Sequence, residues 1–245
     1  MLFGLFWGDW TILVMIPALI FSLWAQFRVN STFKKYAKVR NRRGLTGADV
    51  ARRVLDANGL HNVAIEHIHG HLTDHYDPRT NVIRLSDSVY ASTGIAALGV
   101  AAHEAGHAVQ HAVGYAPIKL RTAIIPLTRF GSFMAMPLFI IAMPLFIIGM
   151  LFSGAYYLGN DIGSILMMTG ILFFSFSALF QLVTLPTEFN ASARAMKALD
   201  NGILASDELH AARATLTAAA MTYVAALATS LASLLRLILI FNRRR

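Results

Sequence analysis

Two stretches of this chain, Phe130–Phe152 and Ile162–Leu185, carry no charged side chain at all. A helix rises 1.5 Å per residue, so each run is long enough to cross the roughly 30 Å hydrocarbon core of a bilayer. Inside lipid a backbone must satisfy its own hydrogen bonds, and a helix does so within one segment. Pro137 and Pro144 interrupt the first run. Membrane helices tolerate proline, so the run reads as one kinked span. Residues 153–161, which join the two runs, contain no Lys or Arg. That absence fits an external hairpin turn that returns the chain to the side it left.

Two more apolar runs flank this hairpin. Leu2–Phe27 has Asp9 as its only ionisable group, with Trp7, Trp10 and Trp24 towards its ends. About 17 residues from Trp10 onward would cross the hydrocarbon core, with the tryptophans at the interfaces. No basic residue precedes the run and no small-x-small site follows it, so it reads as an uncleaved first span rather than a signal peptide. Thr217–Ile240 is rich in Ala, Ser and Thr and then in Leu and Ile. It reads as a fourth span, packed through its small residues, in which Arg236 must snorkel or pair.

The composition agrees: 56% of residues are hydrophobic and 14% charged, too few charges to coat a water-soluble globule. The net charge of +8 is concentrated in Arg28, Lys34, Lys35, Lys38, Arg40, Arg42 and Arg43, directly after the first apolar run. The positive-inside rule places that cluster on the cytoplasmic side. No nucleic-acid recognition motif accompanies it, so no nucleic-acid partner is expected. There is no cysteine, so any zinc site must use His and carboxylates.

The expected organisation is a first transmembrane helix over 1–28, a cytoplasmic-side domain over 29–129, a transmembrane hairpin over 130–185, cytoplasmic-side helices over 186–216, and a C-terminal membrane helix with a basic tail over 217–245. In the polar part, Thr46–Asp49 caps an amphipathic helix that stops at Asn58-Gly59. Val63–Ile68 and Asn81–Leu85 read as two short strands, with a turn-rich loop, Gly70–Arg79, between them. Ser86 or Asp87 is expected to cap the next helix, and Gly114 to stop it. Gly94 and Gly99 leave open whether one helix or two fills that interval.

The chemistry sits in that interval, in Ala101-Ala102-His103-Glu104-Ala105-Gly106-His107-Ala108-Val109-Gln110-His111. His103 and His107 project from one helical face and present two imidazoles to one ion, and Glu104 between them is placed as general base toward a water that zinc activates. His111 is not a third ligand, because eight residues of helix separate it from His103 by about 12 Å, against Zn–N bonds of about 2 Å. Besides Glu104, the chain has only Glu66, Glu188 and Glu208 as glutamates. Glu66 falls in an expected strand, and Glu208 at a helix start where acids serve the dipole. Thr187, after Pro186, can cap a helix on which Glu188 is the first acidic residue, and Glu188 has the same plain reading as a capping acid. The ligand reading is preferred, because helices flanking one membrane hairpin can oppose each other and complete a His-His-Glu zinc site. His67, His69, His71 and His75 admit a second metal site or solvent-exposed loop histidines, and the latter is preferred. His75 and Tyr76 are the candidates for stabilising a developing oxyanion.

These residues carry a family resemblance. His103–His111 followed by Gly114-Tyr115-Ala116-Pro117, Leu72–Pro78, and Leu185–Ser192 resemble the YugP-like family of bacterial membrane zinc metallopeptidases and, more distantly, the HtpX-type membrane peptidases. The resemblance spans nearly the whole chain. It implies a mainly α membrane protein of about four transmembrane helices, with a zincin-like α+β metallopeptidase domain carrying a small sheet. It further implies one Zn2+ on His103, His107 and Glu188, with Glu104 as base. The HtpX-type pattern places an Asp where this chain has Ser192, so Ser192 or Asn190 would have to orient a ligating histidine instead.

The function expected is that of a multi-pass, gluzincin-like zinc endopeptidase of the inner or plasma membrane, acting at the cytoplasmic surface on peptides or membrane proteins. An edge strand near Asn81–Leu85 would hold an extended substrate. The alternative is a non-catalytic, zinc-stabilised membrane scaffold. A metal transporter is disfavoured, because the runs 130–152 and 162–185 offer no ionisable residue.

Overall fold

The computed structural model describes residues 10–127, 144–145, 147–149 and 160–243. Among these the chain is mainly helical, with one small sheet. A 3-10 turn at Trp10–Val14 leads into α1 (Met15–Tyr36), followed by α2 (Gly47–Ala57), β1 (Ala64–Ile68), β2 (His75–Asp77), β3 (Val82–Ser86), α3 (Ile95–Ala112), α4 (Ala116–Leu127), α5 (Asn160–Asp200) and α6 (Leu209–Arg243). They fall into two compact units. One comprises the described parts of 1–23, 120–184 and 224–245, and the other comprises Trp24–Lys119 with Leu185–Tyr223.

The first unit is built from apolar helix. Three helices, Trp10–Tyr36, Ser164–Asp200 and Leu209–Arg243, are long and apolar enough to cross a membrane. Leu13, Ile20 and Leu23 are at least 60% exposed, an apolar outer surface that water would penalise and lipid would not. Ser22 Oγ lies 2.9 Å from Thr229 Oγ1, and Ser233 Oγ reaches Met15 Sδ. Hydroxyls on a small-residue helix here bridge neighbours, as in membrane packing. The expected span Phe130–Phe152 and the joining residues 153–159 lie outside the described residues, apart from 144–145 and 147–149.

The second unit surrounds α3. Thr46 and Asp49 form a reciprocal capping box at the start of α2, which satisfies orphan N–H groups of its first turn. Val50, Ala51, Val54 and Leu55 then form the buried face of α2. This face joins Ile83 and Leu85 of β3, Ala97, Leu98 and Ala101 of α3, and Ala195 and Leu199 of α5 in one apolar core. Glu208 ties the segment after α1 to the start of α6, its carboxylate accepting from the backbone of Arg42 and Ala205 at 2.8 Å each.

Four expectations are corrected. First, the turn-rich loop contains a strand, β2, too short for its alternation to be read. Second, the sheet order is β1-β3-β2, with β1 parallel and β2 antiparallel to β3. The segment expected as an edge strand is therefore the central one, paired on both sides, and β2 is an edge. Third, neither Ser86 nor Asp87 caps α3. Asp87 is drawn to Gly70 N at 2.9 Å and His67 at 2.7 Å, and a single 18-residue helix begins after Gly94 and ends before Gly114. Fourth, Thr187 caps no helix. α5 runs unbroken from Asn160 to Asp200 with Pro186 inside it, so Glu188 shares one helix with the apolar run.

Candidate metal centre

The spacing of four residues places the two histidines of α3 on one face, rings 4.7 Å apart and nearly perpendicular. Glu188 reaches them from α5. Its Oε2 lies 3.2 Å from His103 Nε2 and 3.5 Å from His107 Nε2, and the two Nε2 atoms are 3.1 Å apart. A tetrahedral ion with bonds of 2.0–2.1 Å separates its ligand atoms by about 3.3 Å. The three donors form a triangle of that size, so the donor set fits zinc. Among the described residues this is the one group of three His or acidic side chains whose donor atoms converge in this way. The two carboxylates are buried, Glu188 at 3% and Glu104 at 8% exposure, while both histidine rings keep partial exposure.

Helix packing sets the position of Glu188. At Gly106, between the two histidines, a Cβ would stand 2.8 Å from Ala191 O. The absence of a side chain there lets the backbone of α5 approach α3. Ala191 is one helical turn beyond Glu188, so the same contact brings the carboxylate to the imidazoles.

Each of the two histidine rings is also held through its other nitrogen. His107 Nδ1 lies 3.0 Å from Gln110 Oε1, and His103 Nδ1 lies 3.1 Å from Ser192 Oγ. Asn190 reaches Gln110 rather than a histidine. Burial pushes the His107 pKa down, but its hydrogen bond to Glu188 and the charges of Glu104 and Glu188 outweigh this and leave it raised.

Glu104 occupies the next position on α3. One of its carboxylate oxygens accepts the backbone N–H of Tyr76 at 3.0 Å, so β2 lies against the expected base with that N–H turned away from β3. The Tyr76 phenol donates to Asn81 Oδ1 at 2.9 Å, its ring lies 5.5 Å from that of His111, and His75 Nδ1 is 2.9 Å from Thr73 O. The other loop histidines stand apart. His67 and His69 share Asp87, and His71 lies edge-on to Phe33. Gln110 and the backbone of β2 escaped the sequence reading. Gln110 had a usable signal, since three residues after His107 puts it on a neighbouring position of the same face.

Residues 11–242 match the family described as "Putative neutral zinc metallopeptidase". This chain belongs to that family. Among curated proteins it is 46% identical, over 96% of its own length and 97% of the relative's, to the "Putative membrane protease YugP" of Bacillus subtilis (strain 168). No solved structure matches. Family membership gives the His-His-Glu cluster its chemical context: a zinc peptidase of the membrane.

Proposed function

We propose that this protein is a multi-pass membrane zinc endopeptidase of the gluzincin-like kind, with a zincin-like domain working at the cytoplasmic face of the inner or plasma membrane. Its span Phe130–Phe152 would add a fourth crossing to the three helices described, within the segment boundaries read from the sequence. His103, His107 and Glu188 would hold one zinc ion, and Glu104 would be the base. The observation that carries this reading is the convergence of three donors at 3.1–3.5 Å beside a buried glutamate, in a chain of the zinc metallopeptidase family.

Zinc bound there would act as a Lewis acid on the scissile carbonyl and make the attacking water more acidic. The residues of the chain do the rest. Glu104, oriented by the Tyr76 N–H, takes the proton of the water and delivers it to the leaving amine. The burial of the site keeps bulk water from competing for these groups. An extended segment of a peptide or membrane-protein substrate would pair with the outer edge of β2, the strand that touches Glu104. His75 and Tyr76 are the proposed oxyanion stabilisers, and the Tyr76 phenol must exchange its bond to Asn81 to serve.

The deciding experiment replaces Glu104 by Gln and measures zinc content and peptide hydrolysis in purified, reconstituted protein. Zinc should stay near one per chain while hydrolysis falls by about 10²–10⁴-fold, the contribution of a general base. Hydrolysis at the wild-type rate would overturn the mechanism. A zinc-loaded wild type that cleaves no peptide would turn the assignment to a zinc-stabilised scaffold.

A further inference from the structure

The zinc-site reading uses the Nε2 lone pairs of His103 and His107, and it leaves open what makes those lone pairs available. A neutral imidazole carries its proton on one nitrogen, and only the other can bind a metal. At His107 the surroundings decide which. Gln110 is fully buried, and its Nε2 donates to Thr187 O at 2.7 Å and Asn190 Oδ1 at 3.0 Å. A backbone carbonyl accepts and never donates, so the amide NH2 must face Thr187. Asn190 is fixed independently, because its Oδ1 accepts Arg194 Nε at 2.8 Å, and a guanidinium only donates. With its nitrogen committed to two acceptors, Gln110 has its oxygen toward His107. Reversing the amide would set two oxygens 2.7 Å apart in a buried site and strand both.

An oxygen acceptor 3.0 Å from His107 Nδ1 requires a proton on that nitrogen. We propose that Gln110, anchored by Thr187 and by the Arg194–Asn190 pair, is a positioning residue that locks His107 in the Nδ1–H tautomer and so presents its Nε2 lone pair to the metal. The inference rests on the zinc-site reading for its purpose, but not for its geometry. His103 differs, since the Ser192 hydroxyl can donate or accept and leaves that ring's tautomer unspecified. Gln110 therefore does the work that a carboxylate partner does in many zinc sites. It does so without adding negative charge beside Glu104 and Glu188.

The test is ¹⁵N spectroscopy of histidine-labelled, chelator-stripped protein in detergent, at a pH where the imidazoles are neutral, with His107 assigned by difference against His107→Gln. In the wild type, Nδ1 should show a protonated, pyrrole-type shift and Nε2 a pyridine-type shift. Gln110→Met, of similar size and without an acceptor, should redistribute the proton toward Nε2 and weaken zinc binding by about 10–100-fold. A wild-type His107 protonated on Nε2, or a Gln110→Met spectrum identical to wild type, would overturn the proposal. The wild-type spectrum decides even if the methionine variant fails to fold. A wild type that takes up no zinc would overturn the metal-site reading, while the shifts still report the tautomer.

Discussion

Replacing Gly106 by Ala should damage the metal centre without touching a ligand. The new methyl would sit 2.8 Å from Ala191 O and 3.4 Å from its carbon, where a relaxed carbon–oxygen contact needs about 3.3 Å or more. The obstacle is backbone, so no side chain can swing aside, and α3 and α5 must part locally by about half an ångström. Metal–ligand distances tolerate about 0.2 Å, and Glu188 lies one turn from the clash. Overpacking of this kind costs about 1–3 kcal/mol. Directed at the site, that corresponds to about 5–150-fold weaker zinc binding, at 1.4 kcal/mol per tenfold. Gly99 on the same helix is the control. A Cβ there meets nothing nearer than 3.8 Å, and Gly→Ala in a helix favours folding by up to about 1 kcal/mol. Zinc affinity, measured by competition against a chromophoric chelator in detergent, should therefore fall for Gly106→Ala and hold for Gly99→Ala. Equal affinities for Gly106→Ala and wild type, with an unchanged melting temperature, would refute the close-approach argument.

Two further perturbations probe the same unit. Glu188→Gln keeps the shape but removes the anionic ligand, so purified protein should lose most of its zinc by elemental analysis; full zinc content would exclude Glu188 as the third ligand. Asp74 is held by Ser86 N and Oγ at 2.7 and 3.0 Å, yet burial outweighs those bonds and raises its pKa above the ordinary aspartate value. A carboxyl whose folded pKa is raised binds its proton more tightly when folded. Its contribution is therefore full below the ordinary aspartate pKa and is lost as pH rises through the raised value. The difference in thermal midpoint between wild type and Asp74→Asn should drift against the wild type across that window, and a pH-independent difference would contradict the burial argument.

What was legible in the sequence was what is local or scarce. His103 and His107 could be paired because helical spacing is a property of neighbours. Glu188 could be singled out because few glutamates compete with it, and the structure brings the three together. The capping box at Thr46 and the stop at Gly114 were readable for the same reason. The misreadings involve tertiary competition. Pro186-Thr187-Glu188 has the look of a helix start, since Pro suits a first turn and Thr a cap, but α5 continues through it. β2 is three residues long, held by pairing to β3 and by one N–H on Glu104, and so gives no periodic signal. Which strand is central depends on a parallel pairing between residues 18 apart, Ala64 with Val82, and no short pattern encodes that. Gln110 is one polar residue on an apolar helix, and its partners on α5, Thr187 and Asn190, lie 77 and 80 residues further along the chain.

The division of the proposed metal site between α3 and α5 has a consequence for how the chain holds together. His103 and Glu188 are separated by 85 residues, in a protein with no cysteine to form a disulfide. An ion shared between them would close that long loop as a covalent staple does, and a loop of this size is constrained by about 4.5 kcal/mol in the chain-entropy account of cross-links. Zinc would then be a reversible cross-link, set by the supply of free metal rather than by redox conditions. Withdrawing it would loosen the apposition of α3 and α5 at the same moment that it silences the chemistry.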